Sequence, residues 1–411
     1  MELNLGVYII LMGYILSCAL PSDKYTASST PCCRLLPLLR VSLAFQLSLV
    51  FNHSEPRLRS KTLLPTRFIP GMDNYQQSLI AQFFSQCPRT SQAKCHQYIR
   101  QDLVPQLVPG RDTFVRVTPN LYQGSFSYTC VADLHNSTPN GKYIVIQFRH
   151  EKRDLWGTTE AHQLHGVIVP LVSFQGTHDG LFVYTSPLAP GIPYVGLLTA
   201  CEISLSLDHR FKTVGDLADA LTRKAQVPSD YLSFGTSLSS IESTVNTFHF
   251  QNKDLRRRIS ARISEIRDHD VGLAKLPLVL THMDMTPFNY LVDMASGQVT
   301  AILDWDSAEY LPVGYNLHFV EHLFGYMTRD GWEDAEDREA LEAFFYDRVW
   351  QRLLLQGFDE KDLEALDHEK TLGTLMFYVP KLLEWKDGMA ERYLERYLQG
   401  RMTDLVSLPR E

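Results

Sequence analysis

The segment from Leu280 to Gly314 constrains the fold of this chain more than any other stretch. It contains three polar side chains, Asp284, Asn289 and Asp304, each beside a short apolar run that is typical of a β-strand or its end. An aspartate, an asparagine and a second aspartate that converge can hold a hard cation through oxygen atoms. One carboxylate then remains as a general base. We therefore expect a cation-dependent catalytic site in this segment.

The apolar runs predict how the three polar residues come together. Tyr290–Val292 and Val299–Leu303 flank the dipeptide Ser296-Gly297, which is a turn signal between two strands. A hairpin returns the chain on itself, so we expect Asp304 to lie close to Asn289. The alternative is a surface hairpin whose aspartates are ordinary solvated side chains.

A compound motif extends across the same hairpin. His282-x-Asp284-x4-Asn289, followed by Asp304-Trp-Asp306, resembles the aminoglycoside phosphotransferase family of small-molecule kinases. The residue between His282 and Asp284 is not the glycine that many members carry, but the polar residues are intact. The resemblance implies an α+β, two-lobed protein-kinase-like fold. In that fold a β-rich N-lobe and a mostly helical C-lobe enclose ATP in the cleft between them.

The resemblance also implies a role for each residue of the motif. Asp284 accepts the proton of the attacking hydroxyl group, and His282 supports the catalytic loop from beneath. Asn289 and Asp304 hold Mg²⁺ against the nucleotide phosphates, and Asp306 takes the place of an acidic residue that follows the tryptophan in the family. The predicted reaction is ATP-dependent O-phosphorylation of a small molecule, whose identity the motif does not indicate.

The strand predicted over Tyr143–Arg149 lacks the lysine that contacts phosphate in the family. By alignment of the apolar run, Gln147 takes the lysine position. Arg149 lies two residues on and shares its face, because strand side chains alternate. Either Arg149 supplies the cation, since arginine can bind phosphate bidentately, or the site has lost it. A solvent-facing arginine at a strand end is the alternative.

Further nucleotide-binding residues follow from the resemblance. The loop over 121–128 would cover the phosphates, with Gly124 permitting a tight backbone and Ser125 and Ser127 offering donors, although an ordinary β-turn explains it nearly as well. Glu160 would be the ion-pair partner of the strand cation, or would only complement the dipole of the helix that it begins. Tyr184 and Leu188, at the predicted hinge between the lobes, would line the adenine pocket.

A rival from another class is a non-catalytic pseudokinase that binds a ligand or a partner. The missing strand lysine favours this rival, and the intact Asp284, Asn289 and Asp304 oppose it. A protein kinase is a weaker alternative, because Asp-Trp-Asp replaces Asp-Phe-Gly and the sequence contains no Ala-Pro-Glu segment.

Composition and the N-terminal stretch set the remaining limits. A net charge of −8 argues against a nucleic-acid partner. Leu5–Leu20 is apolar but short for a spanning helix, so contact with a membrane is expected only if it is retained as an anchor. Residues 1–71 are interpreted as a poorly ordered leader that precedes a cytoplasmic enzyme. The N-lobe is placed at 72–186 and the C-lobe at 187–411.

Apolar spacing predicts two further elements. Ser240–Arg267 is expected to be one long helix whose buried stripe contains Leu255, Ile259, Ile263 and Ile266. Val167–Phe174 is expected to be a strand. Acidic residues over 321–337 would favour an amine-bearing acceptor, but exposed helical acids are the commoner explanation.

Overall fold

The computed structural model describes residues 72–109, 115–120, 123, 126–134, 143–199, 205–223, 235–268, 276–327, 332–359, 362–385 and 388–398. The leader predicted at 1–71, including Leu5–Leu20, lies outside these residues, and so do Gly124 and Ser125 of the predicted phosphate loop. Within the described ranges, no helix combines the length and apolar character needed to cross a membrane.

The elements follow one another in an order that starts with helices and then becomes β-rich. The first half contains α1 (Met72–Ser85), α2 (Gln92–Tyr98), α3 (Val104–Leu107), β1 (Arg116–Pro119), β2 (Ser127–Asp133), β3 (Tyr143–Arg149), α4 (Trp156–His165), β4 (Ser173–His178), β5 (Leu181–Pro187), β6 (Ile192–Pro193) and α5 (Tyr194–Thr199). A π-helix (Ile99–Leu103) joins α2 to α3, and a 3₁₀ turn (Gly166–Ile168) follows α4.

The second half is mostly helical, with short strands around the motif segment. It contains α6 (Leu207–Leu221), α7 (Gly235–Thr247), α8 (Lys253–Asp268), β7 (Leu278–Thr281), β8 (Tyr290–Val292), β9 (Val299–Ile302), β10 (Glu309–Pro312), a 3₁₀ helix (Val313–Phe319), α9 (Glu321–Phe324), β11 (Gly325–Met327), β12 (Trp332–Asp334), α10 (Arg338–Leu354), α11 (Asp362–Glu384) and α12 (Met389–Tyr397).

Two compact units share these elements. The sheet unit comprises the described residues up to Arg153 together with Leu171–Leu188. The helical unit comprises Asp154–Pro170, Ala189–Thr199 and the described residues from 205 onward. The units therefore interleave along the chain, whereas the sequence-based division at 186 and 187 is contiguous.

The sheet unit is an antiparallel five-stranded sheet with the strand order β1-β2-β3-β5-β4. The opposed pairs on one face of its central strands are apolar, for example Tyr128 with Phe148, and Phe148 with Val183. This face packs with Ile80 and Phe83 of α1, so helices cover it and form a core with it. Alternation along the strands leaves the opposite face to polar and aromatic residues.

The helical unit brings the motif segment together through two small sheets. β7 pairs with β10, and β8 lies between β6 and β9 in a three-stranded antiparallel sheet. The predicted hairpin is confirmed: Tyr290 lies opposite Ile302 and Leu291 opposite Ala301. Its turn requires a glycine, because Gly297 has a φ of 71° and a Cβ there would overlap the backbone of His209.

The predicted helix over Ser240–Arg267 is wrong in its continuity. Helix α7 ends at Thr247 and α8 begins at Lys253. Asn252 separates them, because its Oδ1 accepts hydrogen bonds from the backbone N–H groups of Asp254 and Leu255 and caps α8. The apolar stripe predicted for this helix is buried on α8, as the spacing indicated.

The strand predicted over Val167–Phe174 is wrong over most of its length. Its first residues form the 3₁₀ turn after α4, where Val167 is 90 % exposed. Pro170 has no N–H group to donate to a ladder, and β4 begins only at Ser173. The fold class itself is confirmed: the chain is α+β, with an antiparallel sheet unit and a mostly helical unit.

Candidate active site

His282 is the buried support of the motif segment. It follows β7 and is 1 % exposed. Its Nε2–H donates to the carbonyl of Leu303 at 2.6 Å, and its Nδ1 accepts the backbone N–H of Asp284 at 3.1 Å. The two bonds require the neutral ring with the proton on Nε2. Burial lowers the pKa of His282, which keeps the ring in this state, while the Leu303 carbonyl and the Asp304 carboxylate act in the opposite direction.

Asn289 connects directly to Asp284. Its Nδ2 donates to the Asp284 carbonyl oxygen at 2.7 Å and to the Asp284 carboxylate oxygen Oδ2 at 3.1 Å. The backbone between them forms a tight loop, in which the N–H of Thr286 donates to Asp284 and that of Asn289 donates to Thr286. Because the amide nitrogen faces Asp284, the amide oxygen is directed away from it.

Asp304 is joined to the same cluster through the hairpin. The N–H of Leu303 donates to the carbonyl of Asn289 at 2.7 Å. Asp304 is the next residue, so this hydrogen bond brings the backbones of the two predicted metal ligands close together. Asp304 has a φ of 62°, in the left-handed region that non-glycine residues rarely adopt. Its side chain is exposed. The backbone at Asp304 therefore departs from the extended conformation of β9.

The loop that follows Asp304 rests on helix α4. Trp305 is buried, with its ring centroid 5.2 Å from His165 and 4.7 Å from His282. Gly157 in the first turn of α4 has no room for a side chain, because a Cβ would overlap the carbonyl oxygen of Trp305. These contacts fix the backbone immediately after Asp304 against a helix.

Glu160 on α4 accepts a hydrogen bond from the hydroxyl of Tyr310 at 2.7 Å. Burial, together with the Glu160 carboxylate, raises the pKa of Tyr310 to about 12, so the tyrosine is the donor. The partner that the sequence suggested for Glu160 was a strand cation. The contact described by the structure is with Tyr310, on the strand that follows the Asp304 loop.

The cluster suits a magnesium ion by the chemistry of its donors. Asn289 offers an amide oxygen and Asp304 a carboxylate, which are the ligand types that Mg²⁺ takes in proteins. Among the residues that the structure describes, no group of three or more His, Cys, Asp or Glu side chains is placed to hold a metal ion. Magnesium in kinases fits such a sparse set, because substrate phosphates and water complete its shell.

The polar face of the sheet unit gathers several predicted nucleotide-binding residues. Gln147 lies opposite Tyr184, and Arg149 lies opposite Ser127 and Phe182. Directly opposed residues and residues two apart share a face, so these side chains all stand on the side away from the apolar core.

The remaining predicted residue of the adenine pocket is Leu188. Its backbone N–H donates to the carbonyl of Tyr143 at 3.3 Å, just beyond the paired length of β3 and β5. The nucleotide roles assigned to Leu188, Tyr184, Ser127, Gln147 and Arg149 stay predictions.

Arg153 is the residue on this face that the sequence pattern did not reveal. Its Nη1 donates to the side-chain oxygen of Gln147 at 3.0 Å, and its backbone N–H donates to the hydroxyl of Tyr184 at 2.7 Å. It lies beyond the end of β3, so strand alternation gave no signal for it. A cation is therefore bound to the side chain of Gln147, the residue that the sequence predicted at the lysine position of the family.

The acidic residues over 321–337 are largely engaged in internal ion pairs. Glu321 is buried and pairs with Arg338 at 2.8 Å and Lys370 at 3.4 Å. Asp334 pairs with Arg338 and with Arg396 at 2.8 Å. These pairs neutralise carboxylates that, from the sequence, would have favoured an amine-bearing acceptor.

Known proteins are similar to this chain over a range that includes the motif segment. The model of the phosphotransferase enzyme family (APH) matches residues 176–356. These residues are similar to the phosphotransferase enzyme family. The matched range contains His282, Asp284, Asn289 and Asp304, so the predicted resemblance is confirmed across the whole motif. The polar residues on β3 and Arg153 precede the matched phosphotransferase range.

Solved structures with similar folds include several kinases. Macrolide 2′-phosphotransferase MphH from Brachybacterium faecium is 18 % identical, with a TM-score of 0.45, and the match covers 75 % of this chain and 99 % of that chain. Choline kinase from Cryptosporidium parvum is 12 % identical, with a TM-score of 0.47, over 75 % and 96 % of the two chains. Ethanolamine kinase from Plasmodium vivax is 11 % identical, with a TM-score of 0.45, over 85 % and 96 %. No curated protein matches the sequence.

Proposed function

We propose that the protein transfers a phosphoryl group from ATP to a hydroxyl group of a small molecule. Similarity to the phosphotransferase family over 176–356 supports the reaction class. The observation that carries the proposal is the contact of the Asn289 amide with both the carbonyl and the carboxylate of Asp284. It joins the proposed base to a proposed metal ligand within one short loop.

Asp284 is the proposed general base. Its carboxylate accepts the Asn289 amide through Oδ2, and this contact fixes its orientation. A carboxylate held in this way can accept the proton of a substrate hydroxyl as the oxygen attacks the γ-phosphorus in line. Positioning dominates phosphoryl transfer, so the held geometry matters more than the basicity of the carboxylate.

Asn289 and Asp304 are the proposed holders of Mg²⁺. When bound, the ion neutralises charge on the phosphate oxygens. The hydrogen bond from Leu303 to the Asn289 carbonyl sets the separation of the two residues. His282 supports both sides of this arrangement, because one ring nitrogen holds the backbone of Asp284 and the other holds Leu303.

A cytoplasmic location fits the proposed donor, because ATP is abundant there. The acceptor is a small molecule with a hydroxyl group. The internal pairing of the carboxylates at 321 and 334 gives no preference for a cationic acceptor.

A mass-shift screen tests the proposal. The native chain and the Asp284→Asn variant are each incubated with ATP, Mg²⁺ and a broad pool of hydroxyl metabolites, and products that gain one phosphate are identified by mass spectrometry. Asp293→Asn is the matched control, because Asp293 is an aspartate of the same hairpin whose carboxylate bonds only within its turn in the described contacts.

We expect a phosphorylated product with the native chain and the control, and not with Asp284→Asn. Nucleotide binding without turnover across the pool would instead support the pseudokinase. A product formed equally well by Asp284→Asn would exclude Asp284 as the base.

A further inference from the structure

The polar face of the sheet unit has a cation whose position is set by the fold rather than by the strand sequence. At the centre of β3 the side chain on this face is Gln147, which is neutral, opposite Thr129 on one side and Tyr184 on the other. A nucleotide-binding sheet needs a positive charge there, because the transferred phosphate is flanked by anionic oxygens. This inference rests on the proposed function.

Three contacts hold Arg153 at this position. Its Nη1 donates to the Gln147 side-chain oxygen at 3.0 Å, and its backbone N–H donates to the Tyr184 hydroxyl at 2.7 Å. Its guanidinium carbon lies 6.0 Å from the centroid of the Tyr184 ring. Tyr184 is 1 % exposed, so the ring that carries the arginine is itself fixed in the sheet.

The chemistry of the pair is complementary. A glutamine oxygen accepts a hydrogen bond from a guanidinium, whereas a lysine at the same place would repel it. Arginine is always charged and presents planar donors that fit phosphate oxygens, and it stacks on aromatic faces. Gln147 and Tyr184 therefore hold a charged guanidinium group on this face of the sheet.

We propose that Arg153 binds the phosphates of the nucleotide and takes the place of the lysine that the strand lacks. Gln147 and Tyr184 are its positioning residues. Arg149, the replacement suggested by strand alternation, then has no required part in phosphate binding.

Binding of a phosphate series to the full chain tests the assignment. Dissociation constants for ADP and adenosine are measured by isothermal titration for the native chain, Arg153→Ala and Arg149→Ala. Lys152→Ala is the matched control, because Lys152 is the adjacent cation, exposed and 5.7 Å from the Phe174 ring. A charged hydrogen bond to phosphate corresponds to an approximately ten- to hundred-fold change in affinity.

We expect Arg153→Ala to weaken ADP binding by that factor and to leave adenosine binding within about twofold. Lys152→Ala should bind both ligands as the native chain does. An equal loss for ADP and adenosine would show that Arg153 only supports the fold. A larger ADP-specific loss in Arg149→Ala would transfer the role to Arg149. Either result overturns the proposal.

The double variant Gln147→Lys with Arg153→Ala provides a rescue. It moves the positive charge onto the strand itself, and we expect it to recover most of the ADP affinity that Arg153→Ala loses. Failure to recover any affinity would count against a phosphate role.

Binding and transfer are separate readouts. If Arg153→Ala binds ADP as tightly as the native chain and the native chain transfers phosphate, this inference is overturned and the proposed function stands. If Arg153→Ala loses affinity for ADP but not for adenosine, and the native chain transfers no phosphate, the inference stands and the proposed function is overturned. A native chain that binds no nucleotide would overturn both.

Discussion

The motif hairpin of the helical unit and the polar face of the sheet unit build their polar groups in different ways. In the hairpin, Asp284, Asn289 and Asp304 come from one stretch of sequence, and short-range hydrogen bonds join them. On the sheet face, Arg153 lies beyond the end of β3. It contacts Gln147 on β3 and Tyr184 on β5. The residue types and spacing of the hairpin form a motif that can be read from the sequence, whereas the contacts of Arg153 with Gln147 and Tyr184 follow no sequence pattern.

This contrast leads to different kinetic expectations for the two regions. The hairpin residues should act on the rate of transfer, and the sheet-face residues on the affinity for nucleotide. Each of the following variants either sharpens this division or breaks it.

The largest effect is expected for Asp284→Ala. Removal of a general base lowers kcat by roughly 10²–10⁴-fold, and the affinity for ADP should stay near native. Steady-state kinetics with the acceptor identified by mass shift, combined with titration of ADP, checks both parts. Asp293→Asn is the control. A large loss of ADP affinity with an unchanged kcat would break the division between the two regions.

The second effect separates activity from stability at Asp304. Its φ of 62° is unfavourable for a residue with a Cβ and ordinary for glycine. We expect Asp304→Gly to lower transfer roughly 10²–10³-fold, while the free energy of unfolding stays unchanged or rises by up to about 1 kcal/mol. Kinetics at several Mg²⁺ concentrations and denaturant unfolding measure the two quantities.

The matched substitution at this site is Asp304→Asn, because asparagine tolerates the left-handed conformation and removes only the charge. It should raise the Mg²⁺ concentration needed for half-maximal activity. A strong fall in stability for Asp304→Gly would show that the carboxylate is structural and would contradict its proposed role as a metal ligand.

Local patterns in the sequence predicted some elements of the fold and missed others. Alternation and turn signals placed the hairpin and β3 correctly, because both depend on local periodicity. The helix over 240–267 was predicted without its break, since the cap at Asn252 depends on which backbone N–H groups its side chain reaches. The strand prediction over Val167–Phe174 treated an apolar run as buried, although Val167 is exposed. The positive φ of Asp304 and the reach of Arg153 carry no local pattern.

A third effect tests whether helix α4 fixes the loop after Asp304. A Cβ on Gly157 would overlap the Trp305 carbonyl oxygen and lie 3.0 Å from Ala308 Cβ, so the Asp304 loop must shift. We expect Gly157→Ala to lower transfer by up to about 10²-fold and to destabilise the chain by about 1–3 kcal/mol. Activity assays and denaturant unfolding check both values.

The control for this substitution is Gly215→Ala. Gly215 lies inside α6, and its added Cβ would meet only a movable ring edge of Phe344 at 3.3 Å. Alanine is the better helix former, so stability should rise by up to about 1 kcal/mol with native activity. Equal effects of the two substitutions would argue that the contact between α4 and the loop is unimportant.

The last expected effect is on stability alone, as a pH dependence in the helical unit. Burial lowers the pKa of His165 to about 4, and in the described residues neither of its ring nitrogens has a hydrogen-bond partner. The unfolded chain therefore binds a proton at a higher pH than the folded chain does. The stability contributed by the neutral ring is fully present above about pH 6.5 and is lost as the pH falls towards 4.

His165→Phe removes this titration and keeps a ring against Trp305. We expect the free energy of unfolding of the variant to fall less steeply between pH 6.5 and 4 than that of the native chain, by an amount of order 3 kcal/mol at most. Part of the slope should remain, because burial also lowers the pKa of His322 to about 4 and of His318 to about 3. If the free energy of unfolding of the two chains falls equally with pH, His165 is accessible to protons in the folded state. The contact of His165 with Trp305 would then not fix the loop after Asp304.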